Sequence, residues 1–179
     1  KGKGTGTRID LTWDKVKGAT GYDVYWSYCN GKNNFNKLAN VPKSQKYADK
    51  NLNNKREYKY FTVAYKMSGG KKVYLGRTNT VHVAMPYAAK TNVLKVTVNK
   101  TKANLAKGKT FKITKKVKLE NPKKKALNHL TKKERFITSN AKVATVSSAG
   151  VIKAVRKGTC TVYVMSENGV CAKIKVTVK

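Results

Sequence analysis

Acidic side chains are scarce: eight Asp and Glu stand against 40 Lys and Arg in 179 residues, a net charge of +32. That restricts any chemistry built from carboxylates. A calcium site needs clustered acidic oxygens and a paired-carboxylate glycosidase needs two flanking one bond; Asp10 and Asp14, which flank Trp13, fall on a strand and the turn after it. Histidine is scarcer still. His82 lies in an alternating strand and His129 within ALNHL, and both read as packed or solvated rather than as general bases. The three cysteines, Cys29, Cys160 and Cys171, are odd in number and form no CxxC pair, so neither a zinc knuckle nor a disulfide framework follows, and three free thiols are expected. No catalytic, cofactor-binding or metal-ligating residue is assigned, and no cofactor. No apolar run nears the ~20 residues of a membrane span, so no membrane insertion is expected. The chain opens KGKGTGT, without Met or a hydrophobic leader, which reads as a piece cut from a longer, processed protein. Its GKGTGT lacks the spacing of a phosphate-binding loop and the strand that should precede one, and reads as a linker remnant.

Period-two hydrophobic alternation is what the sequence has instead. RIDLTW sets Ile9, Leu11 and Trp13 against Arg8, Asp10 and Thr12. GYDVYW places Tyr22, Val24 and Trp26 on one side, and YKYFTVAY (58–65) turns Tyr58, Tyr60 and Ala64 inward. A turn at SGG, then KVYLG and NTVHVAM, complete the first half. After Pro86 and YAAKT, VLKVTV opposes Leu94, Val96 and Val98 to Lys95 and Thr97. FKITKKVKL (111–119) turns Phe111, Ile113, Val117 and Leu119 inward and Lys112, Lys116 and Lys118 outward, with Lys115 breaking the pattern as a candidate bulge. CTVYVMSENGVCAKIKVTV is a hairpin turning near Asn168-Gly169, with Cys160 inside and Cys171 outside. Amphipathic helical spacing is missing. The fold class is all-β: two tandem sandwiches, 1–86 and 92–179, joined by a connector at 87–91.

These residues carry two resemblances. Residues 7–86 resemble a fibronectin type III domain through IDLTW, GATGYDVYW and NLNNKREYKY; the resemblance puts Leu52 and Tyr58 at a tyrosine corner and leaves the first strand weak. Residues 92–179 resemble the bacterial Ig-like domain, group 2 (BIG2), through VLKVTVNKTKANLAKGKTFKI, RFITSNAKVATVSSAGVIKAVRKGTCTVYV and AKIKVTV. Phe136 stands where that family usually has Trp. The resemblance implies an extracellular, cell-surface or secreted bacterial protein in which such modules act as stalks, spacers or adhesive units; fold alone does not fix the function.

Both halves are basic, with 17 basic and 5 acidic residues through Pro86 and 23 and 3 after it. A field of this size attracts polyanions. Lys112, Lys116, Lys118, Lys173 and Lys175 project from strands of the second half, and Lys123, Lys124, Lys125, Lys132 and Lys133 crowd the segment between Pro122 and Phe136. They are the candidate contacts for an acidic polymer such as an anionic cell-wall polymer or host glycan; the plain alternative is solubility and protection of sheet edges. Only five of the 40 basic residues are Arg, so base-specific nucleic-acid readout is not expected. Tyr25, Phe61 and Tyr65 form a candidate aromatic surface on the outer face of the first sandwich, for sugar, a partner or a neighbouring domain. The sequence therefore reads as a non-enzymatic structural and adhesive spacer, with a polyanion-binding module or accessory domains of an extracellular enzyme as alternatives, and other domains of the parent protein as partners.

Overall fold

The computed structural model describes residues 1–130 and 135–179. The chain is all-β and divides into two compact units, one of residues 1–92 with 123–127, the other of residues 93–122 with 128–179.

In the first unit, β1 (Gly2–Thr5), β2 (Arg8–Thr12) and β5 (Lys46–Asp49) form one antiparallel sheet. The other is ordered β4 (Asn36–Pro42), β3 (Gly21–Tyr28), β6 (Glu57–Ser68), β7 (Lys71–Arg77), with β8 (Val81–Ala84) also paired to β6. Alternation decides what goes inside: Ile9 and Leu11 from one sheet meet Val24, Tyr58, Tyr60 and Val83 from the other. Tyr58 makes a corner, its hydroxyl accepting the Asn53 N–H at 3.0 Å while Leu52 packs on the same core. The β6–β7 hairpin turns on Gly69 and Gly70, both at positive φ, as a two-residue primed turn requires.

The N-terminal glycines are strand rather than linker. β1 pairs with β2 from Gly2↔Leu11 to Thr5↔Arg8. A Cβ on Gly2 would lie 2.4 Å from Val83 Cγ2, and one on Gly4 3.0 Å from the Ala84 carbonyl oxygen. Glycine is there because β1 lies too close to β8 for a side chain, not because the segment is loose.

Residues 87–92 also fold into this unit. Ala88 is buried with Ala84 and Leu127, and Thr91 bridges Ala126 in parallel. The Lys124 ammonium donates to the carbonyls of Pro86 (3.0 Å) and Ala88 (2.7 Å).

The second unit contains a sheet ordered β10 (Lys102–Leu105), β17 (Cys171–Val178), β16 (Gly158–Met165), β13 (Phe136–Thr138). A second sheet is ordered β11 (Thr110–Lys112), β15 (Val151–Ala154), β14 (Ala144–Val146), and β9 (Val93–Val98) pairs with β12 (Lys115–Leu119). The β16–β17 register puts Cys160, Val162 and Val164 opposite Val176, Ile174 and Ala172, all facing or packed on the core. Phe136 packs on that core and lies close enough to Gly150 that a Cβ there would meet its ring at 2.9 Å.

Two strands depart from strict alternation. The β9–β12 register runs from Lys95↔Lys118 to Val93↔Leu119 and skips Leu94; this bulge turns Val93 inward and leaves Leu94 50% exposed. FKITKKVKL is two strands, since β11 pairs with β15 while β12 pairs with β9. The irregularity lies at Lys118/Leu119 rather than at Lys115, and Val117, on a strand with one partner, is 50% exposed.

Candidate functional site

On the outer face of the first unit's larger sheet, β3 and β6 bring Tyr25 and Phe61 together at matching ladder positions. Their rings stack at 4.9 Å and 10°. Phe35 meets Phe61 edge-on at 4.7 Å, and the Arg77 guanidinium lies 3.9 Å over it. Phe61 is thus covered by its own neighbours. Tyr65, expected on this surface, is only 5% exposed: the Lys72 ammonium lies 4.2 Å over its ring, and its hydroxyl accepts from Asn40 at 2.8 Å. The cluster is a packed face rather than an open aromatic platform.

Beside it, side chains from two strands converge on Asp23, which is fully buried. Lys72 on β7 donates to both its oxygens at 2.8 and 3.0 Å, and Asn40 on β4 donates at 2.7 Å. Lys37 adds an ion pair at 3.1 Å. Burial works to raise this carboxyl, but the hydrogen bonds from Lys72, Asn40 and Lys37 outweigh it and hold the group below its ordinary value. Asp49 is the opposite case. Burial holds it above the ordinary value although the Tyr60 hydroxyl donates to it at 2.8 Å, and Tyr60 is raised in turn, first by burial and then by Asp49.

The two acids therefore pull the pH dependence of the first unit in opposite directions. Asp23 contributes stability that is present above the unfolded carboxylate value of about 3.9 and lost as pH falls through its lower folded value. Asp49 contributes stability that is present below about 3.9 and lost as pH rises through its higher folded value. Urea midpoints from pH 3 to 7 should show Asp23→Asn losing ground to the wild type as pH rises, and Asp49→Asn gaining it. Parallel curves for the two variants would refute these assignments.

In the second unit the β16–β17 hairpin turns at Asn168-Gly169 as expected, with Gly169 at φ +79°, and Ser166, Glu167 and Asn168 are all buried. Asn168 Nδ2 donates to the Val93 carbonyl at 3.1 Å, and Ser166 Oγ donates to Asn168 Oδ1 at 3.0 Å. Glu167 accepts the backbone N–H groups of His129 (3.0 Å) and Leu130 (2.9 Å) on Oε2 and the Arg135 guanidinium at 2.6 Å on Oε1. Three of the chain's rare carboxylates are thus internal pins. The nearest signal for Glu167 in the sequence is that it is the sole acid after Glu134.

The candidate lysines fall into separate groups. Lys112, Lys116 and Lys118 are exposed on β11 and β12, and Lys173 and Lys175 on β17. Lys123, Lys124 and Lys125 belong to the first unit, with Lys124 half-buried against carbonyls, so they do not extend the second unit's surface. Lys132 and Lys133 lie outside the described residues. Sequence reasoning missed that the ladders set lysine against lysine: Lys95 opposite Lys118 on β9–β12, and Lys102 opposite Lys175 on β10–β17. Like charges directly opposite one another are destabilising, so each pair carries a cost that a bound anion would relieve. Lys173, the next outward residue of β17, sets its ammonium 5.6 Å from the Tyr163 ring on β16. A second missed pair, Cys29 and His82, lies in the first unit with Sγ and Nδ1 3.3 Å apart.

Comparison with known proteins adds the following. Residues 92–178 match the family described as bacterial Ig-like domain (group 2). No curated protein matches the chain. Among solved structures, domains 4 and 5 of the S-layer protein SbsC align at 16% identity with a TM-score of 0.37, covering 92% of this chain and 72% of that one. The S-layer protein rSbsC(31-844) aligns at 14% identity and a TM-score of 0.35, covering 97% of this chain and 39% of that one. The chain thus spans about two fifths of the length of the latter.

Proposed function

We propose that this chain is a structural and adhesive spacer of a bacterial cell-surface or secreted protein, without enzymatic activity. The family match over residues 92–178 supports the setting, and the pairing of β10 with β17 supports the mechanical part. These strands run parallel, paired from Lys102↔Lys175 to Leu105↔Val178. Tension that enters β10 from its N-terminal side and leaves β17 at its C-terminal side slides the strands along each other, so all the hydrogen bonds between them share the load. Pulling apart the ends of an antiparallel hairpin instead breaks its bonds one pair at a time.

Single-molecule pulling tests this, because forced unfolding reports the barrier rather than the equilibrium. Attachment at residues 101 and 178 should require clearly more force than attachment at 158 and 178, which unzips β16 from β17. Equal forces would remove the mechanical reading.

The adhesive part is carried by the lysine-opposite-lysine pairs. An anionic polymer of the glycerol-phosphate or acidic-glycan kind meets each of these pairs as point charges. Lysine, as a strongly hydrated point charge, suits that contact better than the bidentate recognition for which arginine is used. For the first unit, the Tyr58 corner and the three- and five-stranded sheets support a fibronectin type III-like assignment.

A further inference from the structure

We infer that Cys29 is the nucleophilic thiol of this chain, activated by His82, and that it forms mixed disulfides with low-molecular-weight disulfides. The contact is built by the sheet rather than by chance proximity of loops. Cys29 follows the last residue of β3, and its backbone N–H donates to the Glu57 carbonyl at 3.0 Å, extending the β3–β6 ladder by one step. His82 lies on β8, which pairs with the same stretch of β6. Both side chains therefore meet across β6 on the face away from the core, Sγ 3.3 Å from Nδ1, although 53 residues separate them in sequence.

One cation lies on the same face, and Glu57, opposite Cys29 in the ladder, brings a carboxylate there as well, so the imidazole is what activates the sulfur. Lys59 stands directly opposite both Ser27 and His82 in the ladder, and its ammonium is held on that face by the Lys32 carbonyl and Asn33 Oδ1. A thiol beside an imidazole is the arrangement that raises the thiolate fraction. The other cysteines are placed differently. Cys160 is buried in the core against the Thr138 hydroxyl, and Cys171 pairs with Met165 at the start of β17.

The step balances without an added oxidant beyond the disulfide itself. His82 Nδ1 takes the thiol proton, and the Cys29 sulfur attacks one sulfur of the disulfide. The S–S bond of the reagent breaks as the Cys29 mixed disulfide forms, and the departing thiolate is protonated by the imidazolium. In the oxidising setting of a cell surface such a thiol carries either a small thiol cap or a covalent link to a thiol-bearing partner.

The test uses the native chain and dithiobis(nitrobenzoic acid), with quenched samples mapped by peptide mass to assign each cysteine. Cys29 should react about tenfold faster than Cys171, and Cys29→Ser should remove the fast phase. His82→Asn should bring Cys29 down to the rate of Cys171 without changing Cys171. Cys29 reacting no faster than Cys171 in the wild type overturns the inference, and that comparison stands even if a variant fails to fold. An unchanged Cys29 rate in folded His82→Asn overturns it equally.

Discussion

Glu167→Ala is expected to lower the unfolding free energy of the second unit by about 3–5 kcal/mol, the usual cost of removing one partner from a buried ion pair. Glu167 is 1% exposed; its loss takes the acceptor from the N–H groups of His129 and Leu130 and breaks the ion pair with Arg135, whose guanidinium keeps Asn128 Oδ1 as a partner. A domain of this size has a total stability of only about 5–15 kcal/mol, so the variant should be close to unfolding at ambient temperature. Two companions separate charge from hydrogen bonding. Glu167→Gln keeps an acceptor for the backbone donors and should lose less than the alanine variant. Arg135→Met combined with Glu167→Leu removes both charges and should recover part of the loss, because a buried pair is often no better than an apolar one of similar size. Urea unfolding of the three variants reads the result; a loss below about 1 kcal/mol for Glu167→Ala would place the carboxylate in water rather than in the turn.

The second large effect concerns the outer lysines. Replacing Lys95, Lys118, Lys102 and Lys175 by Gln should leave the fold intact and slightly more stable, since each ladder then loses a like-charge pair. Binding to a poly(glycerol phosphate) should fall sharply. Each lysine–phosphate contact contributes about 0.7–0.9 to the slope of log affinity against log salt, so four contacts amount to about three units of slope. Across 50 to 200 mM salt that slope is worth roughly 100-fold in affinity. The variant should therefore bind more weakly at low salt and respond to salt far less steeply. An unchanged slope would mean that these four lysines do not touch the polymer.

What the sequence made legible follows the range of the interactions. The inward residues of RIDLTW, GYDVYW and YKYFTVAY are set by local alternation, and Ile9, Leu11, Tyr22, Val24, Tyr58 and Tyr60 are all buried. The core face of the last hairpin is equally local, with Cys160 in and Lys173 and Lys175 out. Features that depend on a distant partner were hidden. The bulge at Leu94 depends on β12, and the break inside FKITKKVKL arises because its halves pair with different strands. The glycines of KGKGT look like a linker until Val83 and Ala84, some 80 residues on, are seen pressing against them.

The candidate sites follow the same division. Outward lysines on β11, β12 and β17 were readable from period two, but which of them face another lysine depends on register. Tyr65 was read as exposed because alternation gives its face and not what covers it; Lys72 on β7 and Asn40 on β4 do so. An NG pair signals the turn, but not that Glu167 beside it accepts backbone N–H groups 37 and 38 positions upstream.

One comparison bears most directly on whether the paired lysines, rather than the overall charge, hold anionic polymer. Four other exposed lysines of the second unit, Lys100, Lys107, Lys142 and Lys157, give a control variant with the same net charge when replaced by Gln. Binding of both variants to poly(glycerol phosphate) is measured at about 150 mM salt, where the Debye length of about 8 Å screens the distant field. Loss confined to the Lys95, Lys118, Lys102 and Lys175 variant is the result predicted here; equal loss in both would reduce the adhesive surface to generic attraction.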